Sequence, residues 1–184
     1  EDDPRAASLI AIHSHGVPTG FSEAVEREAE DQELPTLKGR EDLRDVPFIT
    51  IDPADARDHD DAVYAARDED PKNPGGWIVW VAIADVAAYV RPGTALDREA
   101  REKGNSTYFP DRVEPMLPEV LSNGLCSLKQ GENRACMAVR MVFDKDGRKT
   151  GHRFVRGLMR SHAKLSYEQA QAAIDGQPDD TTGP

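Results

Sequence analysis

Five aspartates lie within ten consecutive residues of this chain, in the stretch DPADARDHDD at positions 52–61. The first directly follows an apolar run and the last two directly precede another, so two strand ends would bring them together. Carboxylates gathered at one point cannot all stay ionised without compensation, and a divalent cation is the simplest compensation. Hard oxygen ligands favour Mg²⁺, with Mn²⁺ as the alternative, over zinc. The expected catalytic acids and metal ligands are Asp52, Asp58, Asp60 and Asp61.

Two ions held by a shared set of acids would clamp a phosphodiester and activate water for in-line attack. Asp55, in the middle of the stretch, is expected to be an exposed bystander. Two other interpretations stay open from these residues alone. The stretch can be a solvated acidic loop, or its DxDD spacing can be that of the proton donor in some terpene cyclases. The cyclase interpretation needs a large helical barrel, which strand patterns in a chain of 184 residues disfavour.

Short apolar runs must position these acids. VPFITI (46–51) is predicted to be a strand that delivers Asp52 at its end, where Pro53 interrupts the ladder. AVYAA (62–66) is predicted to be the next strand, and WIVWVAIADV (77–86) a buried strand that is apolar on both faces. The stretch RACMAVRMVFDKDGRKTGHRFVRGLMRS is predicted to form a hairpin around DKDG.

Other segments have helical patterns. The predicted helices are FSEAVEREAEDQE with Ser22 as N-cap, TALDREAREKG between Thr94 and Gly104, and SYEQAQAAIDG, where Ser166 and Gln169 have capping-box spacing. PMLPEVLSNG is predicted to be a short helix or turn, and residues 1–20 an extended arm that enters the domain. Because strands and helices do not alternate regularly, the predicted fold class is α+β, a mixed sheet with flanking helices.

Charge is unevenly distributed along the chain. The net charge is −11, yet the stretch from Lys129 to Lys164 carries ten basic and only three acidic residues. A basic face beside an acidic site suits an enzyme that acts on a polyanion with the help of a metal. A charged hairpin that faces solvent explains the same pattern. Tyr108 and Phe109, in the polar segment NSTYFPDR, either stack on nucleic-acid bases or fill the core.

The cysteines, the longest apolar run and the two ends of the chain indicate what kind of protein this is and where it is located. The two cysteines, Cys126 and Cys136, lack ligand-like spacing and are expected to be thiols in a reducing, cytoplasmic environment. The longest apolar run, Trp77 to Val90, is interrupted by Asp85 and is too short to span a bilayer, so no membrane partner is expected. The chain begins at Glu1 and ends in GQPDDTTGP, from which we expect a piece of a longer polypeptide.

Several blocks together resemble the RNB catalytic domain of the ribonuclease II/ribonuclease R exoribonuclease family. They are SLIAIHSHGVP, DLRDVPFITIDPADARDHDDAVYA, VAIADVAAYVRPGTALDREAREKGNSTYFPDRVEPMLPEVLSNGLCSL and RSHAKLSY. STYFPDRVEPMLPEVLSNGLCSLK is closer to the bacterial ribonuclease R branch than to ribonuclease II. The blocks cover nearly the whole chain, and their combination is far more specific than DxDD alone.

The resemblance implies processive, Mg²⁺-dependent degradation of single-stranded RNA from its 3′ end, with release of nucleoside 5′-monophosphates. It implies that the four acids organise the metal ions around the scissile phosphate, with Asp60 the most sensitive to loss. It also implies that Tyr108 stacks on the 3′-terminal base and so helps to set the length of the final product. The oligomeric state stays open, although the parent protein is expected to be a monomer.

The family's RNB domain is longer than this chain, and its second half supplies further parts of the site. We therefore expect residues 21–184 to be the N-terminal half of the domain, and residues 1–20 to include the end of a preceding oligonucleotide-binding barrel. The alternative is that the isolated piece is an inactive folding module, or one that binds RNA or metal without turnover.

Overall fold

The computed structural model describes residues 4–183, and it divides them into two compact units. One unit comprises the described residues up to Glu33 together with Val86–Gly124, and the other comprises Leu34–Asp85 together with the described residues from Leu125 onward. The predicted boundary after residue 20 does not coincide with this division. Among the described residues, no helix is long and apolar enough to cross a membrane.

The strands confirm a mixed sheet and the α+β class. In chain order they are β1 (Glu41–Asp52), β2 (Asp61–Arg67), β3 (Trp77–Ala84), β4 (Thr107–Tyr108), β5 (Val113–Glu114), β6 (Asn133–Phe143) and β7 (Lys149–Ser166). The second unit is a closed barrel in the order β1–β2–β3–β6–β7, and β1 and β7 close it by parallel pairing. The other neighbours in the barrel pair antiparallel. The sequence predicted the strands of this sheet but not its closure.

The barrel interior holds one edge-to-face aromatic pair and several small residues. Phe48 and Trp80 lie with ring centroids 6.3 Å apart at 82°. Ala82 and Ala138 face each other across β3 and β6, and both are buried. Ile83, the next residue on β3, is 47 % exposed. The prediction that this strand is buried on both faces is therefore wrong for the described chain, since its side chains alternate between the interior and the surface.

Four helices complete the described chain: α1 (Pro4–His15), α2 (Glu23–Glu30), α3 (Ala95–Lys103) and α4 (Tyr167–Ile174). The predicted extended arm is wrong, because α1 occupies most of it; residues 1–3 of the arm lie outside the described residues. Ser8 and Ile12, four residues apart, are both buried, which is the spacing of a helix with one packed face. Gly16, with φ of +62°, follows α1, so the Gly/Pro punctuation marks a helix end.

Local sequence signals account for the N-terminal ends of α3 and α4. Thr94 accepts a hydrogen bond from the Asp97 backbone N–H, and the Ser166–Gln169 capping box is formed as predicted. Ser22 occupies the N-cap position of α2, but its hydroxyl donates to Glu99 at 2.9 Å and makes no cap bond. Two short helical segments lie at Val86–Ala88 (3-10) and Val120–Leu125 (π-helical). The turn Asp144–Gly147 joins β6 to β7.

Candidate functional site

The acidic loop, residues 53–60, joins the end of β1 to the start of β2. Asp52 is the last residue of β1 and Asp61 is the first of β2. Because the two strands are antiparallel neighbours, their joined ends lie side by side. Asp52 also pairs in register with Ser166 of β7, and Asp61 with Ile83 of β3. The ladders on both sides therefore fix the backbone of two of the four predicted acids.

The pKa of Asp60 is shifted by its surroundings in the acidic loop. Partial burial of its carboxyl group raises the pKa of Asp60 above its ordinary value, and the neighbouring carboxylates of Asp58, Asp61 and Asp52 raise it further. The residue as a whole remains open to solvent. Asp52, Asp58 and Asp61 thus lie close enough to Asp60 for each of them to disfavour its ionisation. Asp55 is exposed, as expected of a bystander.

The donor set fits a hard divalent cation in charge and in chemistry, since carboxylate oxygens are what Mg²⁺ and Mn²⁺ prefer. Within residues 4–183, however, no three Cys, His, Asp or Glu side chains are arranged closely enough to hold a metal ion. The aspartate side chains would have to draw together around a cation.

His59 is the histidine of the acidic loop, between Asp58 and Asp60. Its side chain could equally have been solvated, but in the structure His59 is only 4 % exposed, and its Nδ1 lies 2.6 Å from Asp52 Oδ2. A signal was present in the alternation of the stretch: His59 stands between Asp58 and Asp60, which are both less buried. In an extended segment, successive side chains point to opposite sides.

Hydrogen bonds from distant segments hold the loop backbone. Buried Ser127 donates from Oγ to the Arg57 carbonyl oxygen at 2.7 Å, and its Oγ accepts from the His59 N–H at 3.1 Å. The backbone N–H of Leu128 donates to the His59 carbonyl oxygen, and that of Ala84 to the Asp60 carbonyl oxygen, both at 2.8 Å. Sequence reasoning missed these contacts, because they join residues that are far apart in the chain.

The basic stretch from Lys129 to Lys164 is in large part committed to contacts within the fold. Arg134 is buried and pairs with Glu132 at 2.6 Å, and Arg153 makes two 2.7 Å bonds to Glu41. Other members of the stretch bond internally as follows: Arg156 to Asp85, Arg160 to Asn133, and Lys164 to the carbonyl oxygens of Ala54 and Ala56. A uniformly free basic face is therefore not what the structure shows.

Tyr108, the predicted base-stacking residue, lies in the unit that does not contain the acids. It is on β4, opposite Val113 of β5, and it is 66 % exposed, so it does not fill the core. Phe109 is half-buried. Tyr108 is thus an exposed aromatic ring on a short hairpin, and nucleobases stack on rings of this kind.

The two cysteines are free, as predicted, and both are buried. Burial raises the pKa of each thiol to about 12, so neither is a thiolate at neutral pH. Neither thiol is therefore a candidate nucleophile.

Comparison with known proteins finds similar chains among ribonucleases. The chain is 50 % identical to ribonuclease R of Escherichia coli over 174 residues, which is 92 % of the chain but 21 % of that relative. It superposes on Mycoplasma genitalium RNase R solved with double-stranded RNA with a TM-score of 0.89 at 32 % identity, over 97 % of this chain and 32 % of that one. The same RNase R in complex with ribose-methylated single-stranded RNA gives a TM-score of 0.88.

The chain thus spans about a fifth of the length of the Escherichia coli relative that it matches. The model of the RNB domain matches residues 40–184, which include all four acids and Tyr108. With most of its length matched, the chain belongs to the RNB domain family.

Proposed function

We propose that this chain supplies the acidic half of the active site of a 3′→5′ hydrolytic exoribonuclease that degrades single-stranded RNA to nucleoside 5′-monophosphates. The observation that carries the proposal is the placement of Asp52 and Asp61 at the neighbouring ends of β1 and β2, with Asp58 and Asp60 on the loop between them. Burial of the Asp60 carboxyl group raises its pKa, and the carboxylates of Asp58, Asp61 and Asp52 raise it further. Solved relatives at 32 % identity are RNase R proteins in complex with RNA, which supports RNA as the substrate.

Mg²⁺, or Mn²⁺ in its place, is the proposed cofactor, held by the four aspartates. When bound, it would supply charge neutralisation at the scissile phosphate and a more acidic water. The chain's own contribution is to place the acids. β1 and β2 fix Asp52 and Asp61, and the hydrogen-bonded loop fixes Asp58 and Asp60.

Tyr108 is the proposed contact for the 3′-terminal base. Its exposed ring offers a flat apolar face, and stacking on such a face does not depend on base identity.

The proposal is tested by Asp60→Asn in the complete encoded polypeptide, with a 5′-labelled single-stranded RNA and Mg²⁺. The substitution keeps the size of the side chain and removes its charge. We expect the rate of mononucleotide release to fall by about a hundredfold or more, as for other groups that stabilise a charged transition state. Asp55→Asn is the matched control and should cleave at the wild-type rate. Wild-type release by Asp60→Asn would contradict the assignment.

A second candidate is a module that binds RNA or metal without turnover. Its support is that the chain spans only 21 % of the Escherichia coli relative and does not itself draw three metal-ligating side chains together within residues 4–183. The 184-residue chain, assayed alone beside the complete polypeptide, separates the two. Cleavage by the short chain rules the second candidate out, and Mg²⁺ or RNA binding without cleavage supports it for this part of the protein.

We further propose a cytoplasmic location and a monomeric parent protein. Two buried, reduced thiols suit a reducing compartment. Sedimentation of the complete polypeptide tests the monomer, because a dimer would sediment as a species of twice the mass.

A further inference from the structure

The pair formed by His59 and Asp52 has a defined donor and a defined acceptor. The Nδ1–Oδ2 distance is 2.6 Å, and the side chains are 5 % and 16 % exposed, respectively. An ionised carboxylate can only accept, so Nδ1 carries the proton whenever Asp52 is charged. One oxygen of Asp52 is thus tied to the ring, and the hydrogen bond restricts rotation of the carboxylate about its Cβ–Cγ bond.

The position of His59 does not depend on Asp52. Its backbone N–H donates to Ser127 Oγ at 3.1 Å, and its carbonyl oxygen accepts from the Leu128 N–H at 2.8 Å. Ser127 is fully buried, and its hydroxyl also donates to the Arg57 carbonyl oxygen at 2.7 Å. Because the histidine is held from both sides of its own backbone, it is the fixed partner and the Asp52 side chain is the one that it orients.

We propose that His59 is a positioning residue for the acidic site: its Nδ1–H holds the Asp52 carboxylate in the orientation in which it meets a divalent cation. The inference rests on the proposed function, because it assumes that a cation binds at these acids. A ligand already held in place loses less conformational freedom when the cation binds, and hydrogen bonds to ligating side chains commonly change metal affinity by about 10–100-fold.

The test compares His59→Phe with His59→Asn in the complete polypeptide, and titrates Mn²⁺ calorimetrically with no RNA present. Phenylalanine fills the volume of the ring without a donor, whereas the asparagine amide carries N–H groups close to where Nδ1 stands. We expect His59→Phe to weaken Mn²⁺ binding by about tenfold. His59→Asn should recover most of that loss. His152→Phe, the same change at an exposed position on β7, should bind Mn²⁺ as the wild type does.

Cleavage of RNA gives a second readout. Raising the Mg²⁺ concentration should restore the rate of His59→Phe, because the defect is in cation binding, and it would not restore a protein whose fold is damaged. If His59→Phe does not fold, His59→Gln replaces it, since glutamine has the same amide one methylene further out. The His59→Gln protein should then bind Mn²⁺ more weakly than the His59→Asn protein does.

Equal Mn²⁺ affinity in the wild type and His59→Phe overturns the inference, as does equal loss in His59→Asn and His59→Gln. These outcomes differ from failure of the proposed function. Loss of affinity on removal of His59 in a protein that cleaves no RNA supports the positioning role and counts against the nuclease. If RNA cleavage requires Asp60 but the Mn²⁺ affinity is the same with and without His59, the nuclease function is supported and the positioning role of His59 is contradicted.

Discussion

Lys164 and Ala56 are joined by a hydrogen bond of 2.9 Å from the lysine ammonium to the backbone carbonyl oxygen, across 108 residues of sequence. The same ammonium donates to the Ala54 carbonyl oxygen at 3.3 Å. Lys164 belongs to β7, the strand that closes the barrel on β1. The closing strand therefore also holds the first half of the acidic loop, between Asp52 and Asp58.

Lys164→Met is expected to loosen this loop without unfolding the barrel. Methionine keeps an apolar stem of similar length and removes the donor, so the loss of stability should be about 1 kcal/mol. Backbone amide exchange should quicken at residues 54–57, and RNA cleavage should slow by about tenfold because the acids are less well placed. Mass spectrometry of exchanged peptides gives the first quantity, and a single-turnover assay gives the second.

The control is Lys145→Met, which removes an exposed ion pair with Asp146, in the turn between β6 and β7. Exposed pairs contribute little, so stability should change by less than about 0.5 kcal/mol and cleavage should not change. Unaltered exchange at 54–57 in Lys164→Met would show that the loop is held by Ser127 and its own turn alone.

The raised pKa of Asp60 predicts a pH dependence of stability in the metal-free protein. The folded state binds a proton at Asp60 more tightly than the unfolded chain does, so stability falls as the pH rises from the ordinary value of 3.8 through the raised pKa. Asp60→Asn removes this penalty. With EDTA present, the variant should melt at a higher temperature than the wild type at neutral pH, and the gain should vanish below pH 3.8.

Differential scanning calorimetry across pH measures the effect, on a scale of about 2–4 °C for each 1 kcal/mol in a protein of this size. Asp55→Asn, at the exposed bystander, should show no such pH-dependent gain. A metal-free Asp60→Asn protein that is less stable than the wild type at neutral pH would mean that the carboxylate is stabilised by a partner rather than opposed by its neighbours.

Asp85 is expected to be essential for the stability of the barrel unit. It pairs with Arg40 at 2.7 Å, with side chains 1 % and 7 % exposed, and with Arg156 at 3.1 Å. Asp85→Asn leaves the buried guanidinium of Arg40 without its counter-charge, which typically costs about 3–5 kcal/mol. Urea denaturation followed by circular dichroism measures the loss. Asp146→Asn, at the exposed Lys145 pair, should stay within about 0.5 kcal/mol of the wild type.

Tyr108→Ala is expected to weaken binding of the RNA 3′ end while leaving the fold intact, because the ring is 66 % exposed. Loss of one base stack costs about 1–3 kcal/mol, which raises the dissociation constant by roughly 5–150-fold. Tyr108→Phe keeps the ring and should bind as the wild type does. Fluorescence anisotropy with a 5′-labelled oligonucleotide, without divalent cations, provides the measurement. Equal affinity of the Tyr108→Ala and Tyr108→Phe variants would contradict the stacking role.

What the sequence predicted correctly depends on contacts within a few residues. The capping box of Ser166 and Gln169, and the Thr94 cap, need only local geometry, and both are present. Ser22 shows the limit of such reasoning. It stands at the predicted N-cap position of α2, yet its hydroxyl bonds to Glu99, a residue 77 positions away, in place of the helix end. The hydroxyl donates to a distant carboxylate, and its oxygen accepts no hydrogen bond from the first turn of α2.

The prediction of an extended arm over residues 1–20 was wrong for a related reason. Its apolar run is followed by Gly and Pro, which mark an end to either a strand or a helix, and only the burial of Ser8 and Ile12 at helical spacing decides between them. The position of the acids was predictable because strand ends and their loop are local. The environment of His59 was not, since Ser127 and Leu128, which hold it, come 68 or more residues later.

Parallel closure of the barrel has a consequence for the order in which a nascent chain can become ordered. β1 leaves the ribosome early, but the strand that covers its other edge ends at Ser166, and Lys164 emerges just before it. Until then the acidic loop lacks Lys164, although Ser127 has already emerged, and pairings between such distant segments form late. A polypeptide whose synthesis stops before Ser127 carries the four acids and the paired strands β1, β2 and β3, but it lacks the hydrogen bonds that Ser127, Leu128 and Lys164 make to the loop. During translation, the acidic loop can therefore gain all of its hydrogen bonds only once β7 has closed the barrel.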